Sequence, residues 1–174
     1  MISRLRRLLT GSAPAGFMGE LAAEEYVLSS ARVSGGGLLV ATSLGLWLPD
    51  DDGARRVGWH LISKATWGAG VLSVIEAAEQ DTAAEAVLIV DLPARRFVLD
   101  RPGSLPGLVH ARVTGSIRSR AHHDLPDGGG AWFVQRKVPG RDGFVLQVRA
   151  DPGVDREALR ALAARVAERL REVK

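Results

Sequence analysis

The sequence predicts an α+β fold, namely a strongly bent antiparallel β-sheet or barrel with a C-terminal amphipathic helix and a short helical insertion. Two patterns carry this expectation. Between Tyr26 and Leu92, apolar residues recur at alternate positions in short runs separated by glycine- and aspartate-containing turns, the signature of strands joined by hairpins. From Leu159 to Val173, apolar residues recur instead at three- and four-residue intervals, the stripe of a helix that buries one face.

The elements follow in order. Ile2, Leu5, Leu8 and Leu9 have helical spacing with Arg4, Arg6 and Arg7 between them, and GSAPAG follows as a linker, so residues 1–23 read as a helix or arm and 24–174 as one domain. YVLSSARV (26–33) is a first strand. After Ser34-Gly35-Gly36-Gly37, the run LLVATSLGLWLP reads as one strand with Leu38, Val40, Thr42, Leu44, Leu46 and Leu48 on its core face. PDDDG (49–53) turns the chain into RRVGWHLI, where Val57, Trp59 and Leu61 alternate. In GWHLISKATW, Trp59 and Trp67 enter one core only if the chain bends near Ser63-Lys64, which leaves His60 outside. VLSVIE (71–76), a polar loop around Glu79 to Thr82, and AVLIVDL (86–92) complete the meander.

Residues 104–117 fit either a helix or a strand. A helix is favoured because Pro106 suits its first turn and Ser104 its cap. Strands resume through RAHHDL, AWFVQRKV and FVLQVRA, and Asp155 is placed to cap the final helix, whose stripe is Leu159, Leu162, Ala163, Val166, Leu170 and Val173.

Composition narrows the function classes. The 174 residues contain no cysteine, which removes disulfides, thiolate metal sites and cysteine nucleophiles and suits a reducing compartment such as the cytoplasm. The longest apolar run, GGGLLVATSLGLWL, is interrupted by Thr42, Ser43 and Gly45, so no membrane span is expected. Net charge is only +3, with 20 arginines against three lysines and no asparagine, a bias of the kind a GC-rich genome produces. Arginine abundance by itself is therefore a weak pointer to nucleic acid.

The order of elements, with GGGLLVATSLGLWLP (35–49), the Trp59–Trp67 stretch, GVLSVIE (70–76) and the closing helix, resembles uncharacterised bacterial proteins with a pleckstrin-homology-like (PH-like) domain. The resemblance implies a barrel closed by a helix, and a non-enzymatic module that recognises a partner protein or peptide at a strand edge or groove. It implies no catalytic residue and no cofactor. The turn at which such domains collect cations for lipid phosphates is here Ser34-Gly35-Gly36-Gly37, with only Arg32 nearby.

Chemistry-bearing residues are sparse. His60 lies out of phase with Trp59 and Leu61, and the adjacent His122 and His123 should point to opposite faces of a strand, unable to share a metal. Gly35-Gly36-Gly37 and Gly128-Gly129-Gly130 lack the helix or Lys-Ser/Thr that a phosphate loop needs. The one positive cluster is Arg95, Arg96, Arg118, Arg120, Arg136 and Lys137, with Trp132 or Phe133 beside it. It is a possible anionic-ligand or nucleic-acid surface if the strands bring these residues together.

Overall fold

The structure, a computed structural model, describes residues 12–173. The expected helix at Ile2–Leu9 lies outside the described residues. Among the described residues, eleven strands, one short 3-10 turn and two α-helices form a mixed α+β fold with a curled half-barrel and a C-terminal helix, an arrangement consistent with a PH-like fold.

Strands β1 (Val27–Arg32), β2 (Leu38–Thr42), β3 (Gly45–Asp50) and β4 (Gly53–Gly58) form a four-stranded antiparallel meander. The chain turns through a 3-10 segment (Trp59–Leu61) into β5 (Ile62–Gly68), which pairs with the thirteen-residue β6 (Val71–Ala83). The first half of β6 also pairs with the short β8 (Arg95–Val98). These sheets curl around a core containing Leu39, Leu46, Leu48, Trp59, Ile62, Leu72, Val74 and Phe97. Helix α1 (Leu105–Gly115) closes this core with Leu105, Val109 and Val113.

The second half of β6 leaves that barrel and pairs with β7 (Ala86–Asp91). Strand β7 in turn pairs in parallel with β11 (Phe144–Ala150), whose other neighbours in order are β10 (Gly130–Lys137) and the edge strand β9 (Ile117–Asp124). Helix α2 (Arg156–Glu172) covers one face of this sheet, burying Leu159, Leu162, Ala163, Val166 and Ala167 against Leu88, Phe133, Leu146 and Val148. Two apolar cores thus share one strand, each with its own helix.

Several expectations hold. The Asp50–Gly53 turn, the β5–β6 hairpin and the helix after Ser104 are present, and Asp155 accepts the Ala158 N–H at 2.9 Å as the cap of α2. Others are corrected. Leu38–Leu48 is two strands, because the Thr42 hydroxyl accepts the N–H groups of Leu44 and Gly45, each at 3.2 Å, and folds the chain back on itself. The turn also needs Gly45, since a Cβ there would lie 2.2 Å from the Val57 carbonyl oxygen. The core-facing residues of β2 are consequently Leu39 and Ala41.

Glu79–Thr82 is strand rather than loop, and its polar side chains reflect neighbours that sequence spacing does not reveal: Asp81 pairs with Arg156, at 3.2 Å, and with Arg160 on α2. Ser104 takes the N-cap position of α1 as expected but makes no side-chain cap hydrogen bond; its hydroxyl meets that of Ser29 at 2.9 Å instead. Val173 is 87% exposed, so the buried stripe ends earlier than expected.

Val40 and Trp47 are cross-strand partners on the outer face of the first sheet, where Phe17 meets Trp47 edge-on with ring centroids 5.3 Å apart. Glu25 secures this cover. Its carboxylate accepts the Thr42 hydroxyl at 2.5 Å, the Trp47 indole N–H at 2.9 Å, the Ala22 N–H at 3.0 Å and the Arg56 guanidinium. Burial alone would raise its pKa, but these hydrogen bonds and the Arg56 charge hold it below the ordinary value. On the next strand, Arg55 makes a two-pronged pair with the buried Glu76, at 2.9 and 3.1 Å, tying β4 to β6.

Candidate functional site

The six cations that the sequence nominates do not share a surface. Arg95 donates to the Pro49 carbonyl at 2.7 Å and lies over Phe97, bracing β8 against β3, while Arg96 is exposed on β8. Arg118 is the extra residue of a bulge in β9, and its guanidinium lies 4.5 Å from the Phe144 ring centre. Arg120 lies 4.8 Å from the ring centre of Trp132. The unbroken β10–β11 register places Trp132 and Phe144 on opposite faces of the sheet, so these two arginines are held apart. Lys137 is exposed at the end of β10.

Arg136 is the main correction, because it is only 3% exposed and cannot serve an open surface. Its guanidinium donates to the Ile62 carbonyl at 2.7 Å, the Trp59 carbonyl at 2.9 Å, the Val113 carbonyl at 3.1 Å and the Ser116 hydroxyl. It therefore fastens the second sheet to the β5 corner and to the end of α1. Burial, with the charge of Arg149 adding to it, lowers its pKa to about 10.

The face of the second sheet opposite α2 carries a cleft of about 280 Å³. Arg120, Trp132, Val134, Gln147 and Arg149 line it from β9, β10 and β11, with Ile89 and Ser63 at its sides and Arg136 beneath. Trp132 is 37% exposed, whereas Phe133 faces the helix-covered core, so only the first of this pair is available to a ligand. Arg149 donates to Asp91 at 2.9 Å and to the Ser63 hydroxyl at 2.8 Å, while its Nε–H is buried without a partner. Gln147 donates to the His60 carbonyl at 2.6 Å. Arg149 and Gln147 are absent from the sequence-nominated cluster, although their signal was present: they alternate with the apolar Phe144, Leu146 and Val148 and so occupy the other face of β11.

A larger cleft of about 360 Å³ lies between the ends of β7 and β11 and the start of α2. Its charges are already matched, Asp81 with Arg156 and Arg160, and Asp91 with Arg149. The smaller cleft is lined by three arginines and by no carboxylate.

His122 and His123 do point to opposite faces. His122 meets Trp132, with its ring nitrogens 2.8 Å from Asp151 and 3.2 Å from Asp124, and His123 packs edge-on to Phe133. His60 is half-buried rather than outside, and its Nδ1 is buried without a partner. Burial, then the charges of Arg136 and Arg141, lower its pKa from 6.5 to about 4. A depressed histidine pKa favours the neutral ring in the folded state, so its contribution to stability is whole above pH 6.5 and is lost as pH falls through about 4. Chemical denaturation across that window should show a smaller acid loss in His60→Gln than in the wild type; equal losses would remove His60 as the cause.

Among the described residues, no helix is long and apolar enough to cross a membrane. Comparison with protein-family models, with curated protein sequences and with solved structures finds no match to this chain.

Proposed function

We propose that this chain is a non-enzymatic binding module, a PH-like scaffold suited to the cytoplasm, that receives an extended segment of a partner protein along the outer edge of β9. The observation that supports this is the edge itself. β9 is eight residues long, is last in its sheet, and is exposed at all but Ile117 and His123. An open edge presents a row of N–H and C=O groups that another strand can pair with. Proline is absent from β9, and its one bulge lies at its start, so most of its length stays regular. Its two arginines lie over the rings of Phe144 and Trp132 within their own sheet.

Nucleic acid or another extended polyanion is the weaker reading, since the cations from Arg95 to Lys137 offer no continuous track. Selection of binders from a random peptide library, followed by amide hydrogen exchange on the complexes, tests strand docking. Selected peptides should slow exchange across residues 117–124. Peptides that bind but protect only other segments would overturn the proposal.

A further inference from the structure

The cleft on the open face of the second sheet has a charge pattern that strand docking at β9 does not require. Arg120 and Arg149 stand on β9 and β11, either side of β10, and are offset by two residues in the register, about 12 Å apart at the backbone by strand spacing and rise. Trp132 lies between them, directly opposite Arg149 in the register. Arg120 leans over that same indole, while the Arg149 guanidinium reaches Asp91 and Ser63, and both arginines line the cleft.

Their charges are not quenched alike. Asp91 matches Arg149, but among the described residues no carboxylate lies within ion-pair distance of Arg120 or Arg136. Stacking on an indole holds a guanidinium in place without neutralising it, and leaves its N–H groups available. Arg149 also keeps a buried Nε–H with no acceptor, an arrangement that costs free energy until something accepts it. The lowered pKa values of His60 and Arg136, which burial causes first and neighbouring arginine charge reinforces, report the same electropositive surroundings.

We infer that this cleft is a binding site for a compact organic oxyanion, a carboxylate or phosphate monoester, whose charged group sits between Arg120 and Arg149 while its planar or apolar body lies against Trp132 and Val134. The arginine forks match the oxygens of either group. The volume of about 280 Å³ suits a small ligand or a single side chain rather than an extended polymer. The apolar share of the lining separates this from a site for free inorganic ions, since Trp132, Val134, Ile89 and Ile117 gain nothing from a bare phosphate.

Proton–nitrogen spectra of the Trp132 indole N–H, assigned with Trp132→Phe, provide the test. The probes are phenyl phosphate, benzoate, inorganic phosphate and neutral benzamide. The two aryl anions should shift the signal saturably and more tightly than inorganic phosphate, and the stronger of the two identifies the source of the oxyanion. Arg120→Gln, which changes an exposed side chain, should weaken that binding about tenfold, and added salt should weaken it in the wild type. Benzamide binding as well as benzoate, or an Arg120→Gln variant with unchanged affinity, would overturn the site. Hydrogen exchange across residues 117–124 reports strand docking separately, so either proposal can fail while the other stands.

Discussion

Arg136→Ala is expected to destabilise the fold by ~4 kcal/mol, because it removes a buried guanidinium that donates to three carbonyls and a hydroxyl at once and leaves a cavity. The Trp59, Ile62 and Val113 carbonyls and the Ser116 hydroxyl all receive this one guanidinium. Those acceptors belong to the barrel corner and the end of α1, whereas Arg136 belongs to β10, so its loss loosens the seam between the two cores. Arg136→Met keeps most of the volume and none of the donors, and should recover little of the loss. Arg136→Lys keeps the charge without the planar fork and should recover less than half. Urea titrations in which Arg136→Ala costs under ~1 kcal/mol would show that water or another donor replaces it.

Trp59→Ala should cost ~3–5 kcal/mol, the range for removing a large aromatic from a core. Trp59 is 2% exposed, and its indole N–H donates to the Thr42 carbonyl at 3.0 Å, joining the barrel corner to the end of β2. Trp67→Ala should cost under ~1 kcal/mol. Trp67 stands opposite Leu72 on the core-facing alternation, yet it is the last residue but one of β5 and is 42% exposed. Comparable melting shifts for the two substitutions would contradict this assignment of the two indoles.

The two tryptophans also mark how far sequence reasoning reaches. The bend between them is real, made by the 3-10 turn at Trp59–Leu61 and by a bulge in which Ser63 is the extra residue. Alternation identifies which face a residue takes, but not whether the core still extends beneath it, so Trp67 was expected inside. The same limit hides β8, whose RRFV is too short and too charged to alternate visibly, although Phe97 is buried. It also hides the parallel β7–β11 pairing, because contact between Ala86 and Leu146 leaves no local trace.

Of the candidate site, the sequence nominated Arg120 and the pair Trp132-Phe133, and it showed that only one of that pair would face a ligand. Arg136 was misplaced because its partners are backbone carbonyls far along the chain, with no spacing rule to announce them. Nothing about an arginine's neighbours in sequence distinguishes a solvated charge from one that binds two halves of a fold together.

The parallel pairing of β7 with β11 bears on the order in which the protein is made. The residues of the first core all precede Ser116, so that core can assemble while the rest of the chain is still being synthesised. Strand β7 has then already emerged as part of a hairpin with β6, but its second partner is encoded only from Phe144 onward. Until β11 arrives, an apolar strand containing Leu88 and Ile89 stands with one side bare, the condition in which chains pair with the wrong neighbour. Slowing translation after Ala86 should therefore lengthen the nascent chain's most aggregation-prone interval, since β7 waits until β11 has been made and released.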